Sequence, residues 1–393
     1  MAEIVASTLA ASPYIGGREA GPALARELAC QAGLALAREL MASYPESKPV
    51  WHYEHGLFLQ AAAAAGEAFG DRALRARALS MAGALVREDG SIASYKVDEE
   101  NLDQVNPGKN LFDLLTQTGD ARYRKAIELL RGQLRRQPRC SAGGYWHKKI
   151  YPNQMWLDGL YMAQPFCARY AKEFGEEGLF DDCVKQFALV ESKAREPRTG
   201  LFYHAWDEAR IQLWADPETG CSPNFWGRAM GWFAMALVDS WEWFPEGHSG
   251  RLVLEGIFEG LARALIAFQE PESGLWYQVV DRGGFAGNYL EASVSAMLSY
   301  AFAKALRLGM SRDAALGIAA ERAYSGCLRR FLVKDASGRP RYEGTCAVAG
   351  LGGNPYRDGS YAYYVGEPVK ANDYKGAGPF ILASIECDSR RPR

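Results

Sequence analysis

The sequence predicts an all-α protein assembled from helical hairpins that stack or close into a ring. Helical periodicity runs through most of the chain, and a glycine–aromatic segment recurs before several long apolar helices. Convincing strands are few, and no Pro-, Ser- or Gly-rich linker divides the chain. We therefore expect one domain over residues 1–393, in which residues 1–16 form a short N-terminal extension.

The helices are predicted from apolar residues that recur every three or four positions. Between Leu160 and Phe174 these positions all fall on one helical face. Comparable faces run through 20–42, 57–86, 109–134, 225–241, 252–268, 291–307 and 313–332. Units of this kind cannot bury an apolar face alone, so they must pack on one another.

A repeated order of residues indicates that the building unit is a hairpin. A glycine and an aromatic cluster precede a loop, a polar residue among aromatics, and then a long apolar helix. Copies begin at Gly144, Gly200 and Gly274, and a looser one begins at Gly359. Closed into a ring, these segments would meet at one end as a cleft of Trp, Tyr, His and a few charges. Such a lining suits sugar rings, although the aromatics could instead simply fill the core.

Composition excludes several other classes of protein. With 48% hydrophobic, 12% aromatic and 23% charged residues, the chain is typical of a soluble globular protein. A net charge of -2 and the lack of a long Lys/Arg run argue against nucleic acid as a partner. The eight cysteines include no Cys-x-x-Cys pair and are expected to be buried thiols. Neither an export signal nor a membrane span is recognisable, which predicts a cytoplasmic protein without membrane contact.

The common catalytic signatures are also missing. We find no Gly-x-Ser-x-Gly elbow, P-loop, His-Glu-x-x-His motif or Gly-x-Gly-x-x-Gly motif. None of the five histidines stands in an arrangement that would ligate a metal strongly. Carboxylates, histidine and arginine therefore remain as the candidate functional groups.

Two aspartates stand where a loop meets a helix. In "YPNQMWLDGLYMAQPF", Asp158 follows Trp156 at a helix start; an aromatic wall would favour the protonated carboxyl, whereas the helix N-terminus favours the ionised one. In "LDQVNPGKNLFDLL", Asp103 holds the corresponding place, which makes it a candidate second carboxylate. For both residues the alternative is a role confined to helix capping.

Arginine and histidine candidates stand in similar segments. In "NFWGRAMGWFAMAL", Arg228 and Trp232 share a helix face and Trp226 lies close by, which suits a clamp for a carboxylated sugar. Packing of the Arg stem on Trp at the surface is the alternative. His147 and His204 occupy matching places in adjacent units, which suggests a shared rim, although His147 could equally be structural.

Several motifs, taken in order, resemble the unsaturated rhamnogalacturonyl hydrolases of glycoside hydrolase family 105. They are "MWLDGLYMAQPF", "LDQVNPGKNLFDL", "FYHAWDE", "FWGRAMGWFAMAL" and "GEPVKANDYKGAGPF", and the resemblance runs from "WHYEHGLFLQA" at Trp51 to the C-terminus. It implies an (α/α)6 barrel, no metal or organic cofactor, and a small oligosaccharide substrate, for which we expect a monomer or weak homodimer. Such enzymes remove a 4,5-unsaturated uronic acid by hydrating its C4=C5 bond.

The resemblance also implies roles for particular residues. Asp158 matches the catalytic aspartate of the Trp-x-Asp motif, the proton donor to C4 and then the base toward water. Asp103 matches the aspartate of the Asp-x-x-Asn-x-Gly pattern, and His204 joins this catalytic group. The substrate-binding positions implied are Tyr53, His147, Trp156, Trp226, Arg228 and Trp232.

Three other functions remain open from the sequence. The sister family of unsaturated glucuronyl hydrolases shares the barrel and the chemistry but acts on glycosaminoglycan fragments. A conventional inverting glycosidase could use Asp103 and Asp158 as acid and base. A non-catalytic carbohydrate-binding protein could be built on the same barrel, although the presence of both carboxylates disfavours this.

Overall fold

The structure, a computed structural model, describes residues 22–45 and 50–387, with side chains described from residue 28 onward. Thirteen α-helices dominate this part of the chain, and its strands are two or three residues long. The extension expected in residues 1–16 lies outside the described residues.

The elements follow one another as hairpins joined by loops. The helices are α1 Pro22–Ala42, α2 Tyr53–Ala68, α3 Arg72–Gly83, α4 Lys109–Thr118, α5 Ala121–Arg136, α6 Leu157–Phe174, α7 Gly178–Ala194, α8 Gly227–Trp241, α9 Gly250–Ala267, α10 Ala292–Leu308, α11 Ala314–Arg330, α12 Tyr361–Gly366 and α13 Tyr374–Glu386. The strands are β1 Gln154–Trp156, β2 Ala205–Asp207, β3 Leu332–Lys334, β4 Pro340–Tyr342, β5 Thr345–Cys346 and β6 Val369–Lys370. They pair antiparallel as β1–β2, β3–β4 and β5–β6.

Six helices form a closed inner ring. α6 packs on α8, α8 on α10, α10 on α13, and α13 on α2. α4 and the 3-10 turn before it, Asn106–Gly108, fill the gap between α2 and α6. The helices α1, α3, α5, α7, α9 and α11 lie outside this ring. Six outer and six inner helices make the (α/α)6 barrel that the sequence resemblance implied.

The hairpin arrangement gives the inner helices a common direction. Each inner helix follows an outer helix that runs the opposite way, so all inner N-termini lie at one end of the barrel. We call this end the mouth, and define it by the inner helices' first residues: Tyr53, Lys109, Leu157, Gly227, Ala292 and Tyr374.

The sequence pattern misjudged two boundaries. The apolar face expected over 57–86 is two helices separated near Gly70, and the face over 109–134 is two helices separated at Gly119. Both glycines have a positive φ, +72° and +66°, a conformation that ends helices. The apolar stripe continues across these short turns, so periodicity alone did not reveal them. The apolar faces predicted from periodicity did not include α7 or α13, although the fourth copy of the repeated segment ends in a helix where α13 lies.

The first outer helix, α1, packs on the last inner helix, α13, and so joins the two ends of the chain. A Cβ atom placed on Gly33 of α1 would lie 2.5 Å from Cβ of Ser384 in α13, so only glycine allows the two backbones to approach this closely. Seven of the eight cysteines are buried, as expected. Within residues 22–45 and 50–387, none of the helices combines the length and hydropathy needed to cross a membrane.

The close approach at Gly33 predicts a specific loss of stability. Gly33→Ala should lower the free energy of unfolding by about 1–3 kcal/mol, because its methyl group overlaps Ser384. Gly256→Ala in α9 is the matched control: its Cβ would meet nothing within 4 Å, and alanine favours the helix by up to about 1 kcal/mol. Urea unfolding followed by circular dichroism measures both. Equal stability of the two variants would contradict this account of ring closure.

Candidate active site

A short antiparallel ladder places the start of α6 beside the loop of the next hairpin. In the pairing of β1 with β2, Trp156 lies opposite Ala205. The backbone N–H of Leu157 then donates to the carbonyl oxygen of His204 at 3.0 Å. Because Leu157 opens α6, this bond brings Asp158, the second residue of the helix, against His204.

Asp158 contacts solvent through a small part of its surface. Its side chain is 13% exposed, and Nε2 of the fully buried His204 lies 3.2 Å from its Oδ2. The alignment is poor, and among the described residues neither atom has a hydrogen-bond partner. Contacts between catalytic groups are commonly misaligned before substrate binds and tighten afterwards. Asp158 is therefore a partly buried carboxyl with an imidazole against one oxygen.

The other nitrogen of His204 contacts a residue from the distant C-terminal part of the chain. Nδ1 lies 2.8 Å from the hydroxyl of Tyr364. Burial raises the pKa of Tyr364 well above its usual value, so the phenol keeps its proton. The His204 ring packs on Trp226 with ring centres 4.6 Å apart and meets Trp156 edge-on at 5.2 Å. These four contacts fix the imidazole on all sides.

Each oxygen of the second carboxylate, Asp103, has a basic side chain close to it. Nζ of Lys148 lies 2.6 Å from Oδ2, and Nε2 of His147 lies 3.4 Å from Oδ1. Burial would raise the pKa of Asp103, but Lys148 and then His147 outweigh it and hold that pKa below its usual value. Asp103 is therefore an ionised group held in place by Lys148.

Three aromatic rings stack beside the two carboxylates. Trp156 stacks on His147, 4.8 Å away, and on Tyr151, 4.9 Å away, each inclined by only 12°, and these two rings are parallel and 6.5 Å apart, so they lie side by side against the indole. Its indole N–H donates to Oε1 of Gln154 at 3.1 Å, which fixes the ring in its plane. Trp156 therefore touches the histidine partners of both carboxylates and forms an aromatic wall beside them.

Arg228 is a buried cation with two unused donors. It is the second residue of α8 and has no exposed surface. Its Nη2 donates to the carbonyl oxygen of Cys346, whereas Nε and Nη1 have no partner among the described residues. Burial would lower the pKa of Arg228, but the acidic groups of Cys346 and Glu291 raise it above its usual value, so the charge persists. A buried guanidinium with free N–H groups suits a carboxylate.

The remaining two predicted residues lie at different depths. Tyr53 lies at the mouth among charged groups, since burial and the nearby carboxylates raise the pKa of its phenol and Arg228 opposes them. Trp232 is fully buried beneath it, with ring centres 6.3 Å apart, and stacks on Tyr161 at 4.8 Å. Trp232 thus supports Tyr53 from below.

Sequence reasoning missed three residues at this site. Lys148 directly follows His147 and carries no periodic signal. Tyr151 was quoted within a motif but not selected; its hydroxyl accepts a hydrogen bond from Arg357 at 3.0 Å. Tyr364 lies in the looser fourth copy of the repeat, where an aromatic cluster was the available signal.

The arrangement can transfer a proton beside an anionic sugar. It combines one carboxyl against an imidazole, one ionised carboxylate tied to lysine, an aromatic wall and a buried arginine. Within residues 22–45 and 50–387, no group of three or more His, Cys, Asp and Glu residues is arranged to hold a metal ion.

Comparisons with known proteins identify the family of the chain. The family model "Glycosyl Hydrolase Family 88" matches residues 35–390. A glycoside hydrolase of family 105 from C. acetobutylicum is 44% identical in sequence, and its structure superposes with a TM-score of 0.87. The match covers 90% of this chain and 98% of that protein. YesR of Bacillus subtilis, an unsaturated rhamnogalacturonyl hydrolase, is 31% identical over 51% of this chain and 57% of its own. The unsaturated glucuronyl hydrolase of Bacillus sp. GL1 shares the fold, with a TM-score of 0.66, 13% identity, and coverage of 93% of this chain and 97% of its own.

The burial of His147 predicts a pH dependence of stability. Burial lowers the pKa of His147 to about 4, with Asp103 opposing the shift, whereas an exposed histidine titrates near about 6.5. Between these values the unfolded chain binds the extra proton, so the free energy of unfolding falls as the pH falls from 6.5 toward 4.

The variant His147→Gln removes this contribution, and urea midpoints at about pH 7 and about pH 5 measure the change. We expect the variant to lose less stability over that interval than the wild type. The ionisation of Asp103 does not interfere, because its pKa lies below the interval. Equal losses in the two proteins would show that His147 is not held neutral.

Proposed function

The chain belongs to the glycoside hydrolases of the family 88 and family 105 group, and we propose that it removes a 4,5-unsaturated galacturonic acid from the non-reducing end of pectin-derived oligosaccharides. The observation that carries the proposal is the placement of Asp158 and Arg228 around a shared set of rings. His204 contacts Asp158 and packs on Trp226, and the Arg228 guanidinium lies 5.1 Å from the Trp226 ring. The proposed proton donor, Asp158, and the proposed carboxylate-binding group, Arg228, are thus linked by three contacts through His204 and Trp226.

The substrate's chemistry fits these two groups. Its unsaturated sugar carries a carboxylate at C5, next to the C4=C5 double bond, and the Nε and Nη1 N–H groups of Arg228, which have no partner among the described residues, can donate to a carboxylate. The ring is flattened by the double bond, so it can lie along the aromatic wall of Trp156. A carboxylate held by Arg228 directs C4 and C5 toward Asp158.

The reaction needs one carboxyl that acts twice. Asp158 donates its proton to C4, which forms a C–H bond and leaves a cation at C5 that the ring oxygen stabilises. Water then adds at C5 and returns a proton to Asp158. The resulting hemiketal opens and the anomeric centre releases the rest of the oligosaccharide. The net change is addition of water across the double bond, followed by elimination of the aglycone alcohol.

The state of Asp103 argues against a conventional inverting mechanism. Such a mechanism needs a second carboxylate with an oxygen free to activate water. Oδ2 of Asp103 is paired with Lys148 at 2.6 Å, and Oδ1 faces Nε2 of His147 at 3.4 Å, so the ionised carboxylate is already held by neighbouring basic side chains. Asp103 instead anchors His147, which stacks on Trp156 and so holds the aromatic wall. We assign it this supporting role in catalysis.

The basic residues at the mouth favour an unsulfated substrate. Lys148 is paired with Asp103, and Lys375 with Glu54 and Asp373. Arg357 donates to loop carbonyl oxygens and to the hydroxyl of Tyr151. A sulfated glycosaminoglycan disaccharide would need free cations to offset the cost of burying its sulfates. Because these three cations are already paired or hydrogen-bonded, they support an unsulfated, pectin-derived oligosaccharide over a sulfated glycosaminoglycan fragment.

Turnover of two unsaturated disaccharides tests the substrate. Galacturonyl-rhamnose with a 4,5-unsaturated uronic acid and an unsaturated chondroitin disaccharide are incubated in parallel, and loss of ultraviolet absorbance at the C=C chromophore is followed. We expect a clearly higher kcat/KM for the galacturonyl compound. Preference for the chondroitin compound would overturn the substrate proposed, and binding of both without turnover would support a non-catalytic protein.

Replacement of the catalytic carboxyl tests the chemistry. Asp158→Asn should lower kcat by more than about 100-fold, because the amide can neither donate nor accept the proton. Asp181→Asn is the matched control, since Asp181 also lies in the first turn of a helix but on the outer ring, 83% exposed. Circular dichroism should show both variants folded. An Asp158→Asn variant with near-wild-type kcat would reject the assignment.

A further inference from the structure

Tyr364 connects the C-terminal part of the chain to the proposed catalytic carboxyl. It lies in the short helix α12, has no exposed surface, and its ring stacks on Trp226 at 5.9 Å with an inclination of 19°. Its hydroxyl reaches Nδ1 of His204 at 2.8 Å, across 160 residues of sequence. The opposite nitrogen of that imidazole faces Asp158.

A neutral imidazole carries one proton, and these contacts decide where it lies. If Tyr364 donates to Nδ1, the proton of His204 is on Nε2 and points toward Oδ2 of Asp158. If Nδ1 donates to Tyr364 instead, a lone pair of Nε2 faces Oδ2, which is repulsive once Asp158 has given up its proton and is ionised. The buried phenol O–H would then also need another acceptor, whereas His204 is the partner recorded for it. An unsatisfied buried donor is costly, so the first arrangement is favoured.

We propose that Tyr364 is a positioning residue that fixes the Nε2–H tautomer of His204 and so selects the oxygen of Asp158 that transfers the proton. This inference rests on the proposed function, in which Asp158 protonates C4. With Nε2–H against Oδ2, Oδ1 is left to carry the proton. Burial raises the pKa of Tyr364, so the phenol remains a donor throughout the working pH range.

The proton balance of the reaction is then assigned to one oxygen. The Oδ1–H bond breaks as the π electrons of C4=C5 form the new C4–H bond. The water that adds at C5 returns its proton to Oδ1, so the carboxyl is regenerated. In both states Nε2–H faces Oδ2, across a 3.2 Å contact that tightens to a hydrogen bond when substrate binds, and His204 itself neither gains nor loses a proton. Tyr364 thus acts through His204 and does not touch the substrate.

The variant Tyr364→Phe removes the donor but keeps the ring that stacks on Trp226. Tyr363→Phe is the matched control, because its hydroxyl lies on the same helix but accepts from the backbone N–H of Gly350 at 3.0 Å. The tautomer is read by 15N NMR of histidine-labelled protein, and the signal of His204 is assigned by its loss in His204→Gln.

We expect wild type and Tyr363→Phe to show a protonated Nε2 and an unprotonated Nδ1 on His204. In Tyr364→Phe the proton should move wholly or partly to Nδ1, and kcat should fall by about 10- to 100-fold with KM nearly unchanged. A protonated Nδ1 in the wild type would overturn the proposal, even if the variant did not fold. An unchanged tautomer in a folded Tyr364→Phe variant would also overturn it.

This readout is independent of turnover. A protein that shows the tautomer change but does not hydrate the unsaturated disaccharide would refute the proposed function and leave the role of Tyr364 in fixing His204 intact. A protein that is active and shows no tautomer change would refute only the role of Tyr364.

Discussion

The site depends on a constraint of chain direction. Each inner helix follows an antiparallel outer helix, so six inner helices run the same way and their N-termini converge on the mouth. Helix N-termini favour anions, by about 0.3–1 kcal/mol for each exposed helix end, and those of α6 and α8 carry no side-chain cap. Asp158 and Arg228 each stand second in their helices, so the ring places both at this end without long loops. The partial positive charge of these helix N-termini favours an anionic sugar.

Two similar pairs of residues at the mouth differ in one contact. His147 lies against Asp103, and His204 lies against Asp158, at 3.4 Å and 3.2 Å. Lys148 occupies the second oxygen of Asp103 and holds it ionised. In the described part of the chain, Asp158 has no comparable lysine or arginine partner. This difference is why we assign the proton transfer to Asp158 and a supporting role to Asp103.

The sequence was sufficient for the fold class and for most of the residues gathered at the mouth. Helical periodicity identified the hairpins, and the repeated order of motifs placed His147 and His204 at matching places in adjacent units, which the ring brings to the same end. Depth within the barrel could not be predicted, because Trp232 shares the helix face of Arg228 yet lies a full turn deeper. The contact of Tyr364 with His204 also could not be predicted, since it depends on ring closure between distant segments.

The central claim is that one carboxyl hydrates a double bond, and isotopic labelling of the reaction tests it most directly. The unsaturated disaccharide is converted in D2O while NMR follows the product and absorbance follows the chromophore. The account predicts that aglycone release and chromophore loss proceed in equal amounts, and that the product carries one deuterium at C4. Release of the aglycone with the double bond intact and no deuterium at C4 would contradict it.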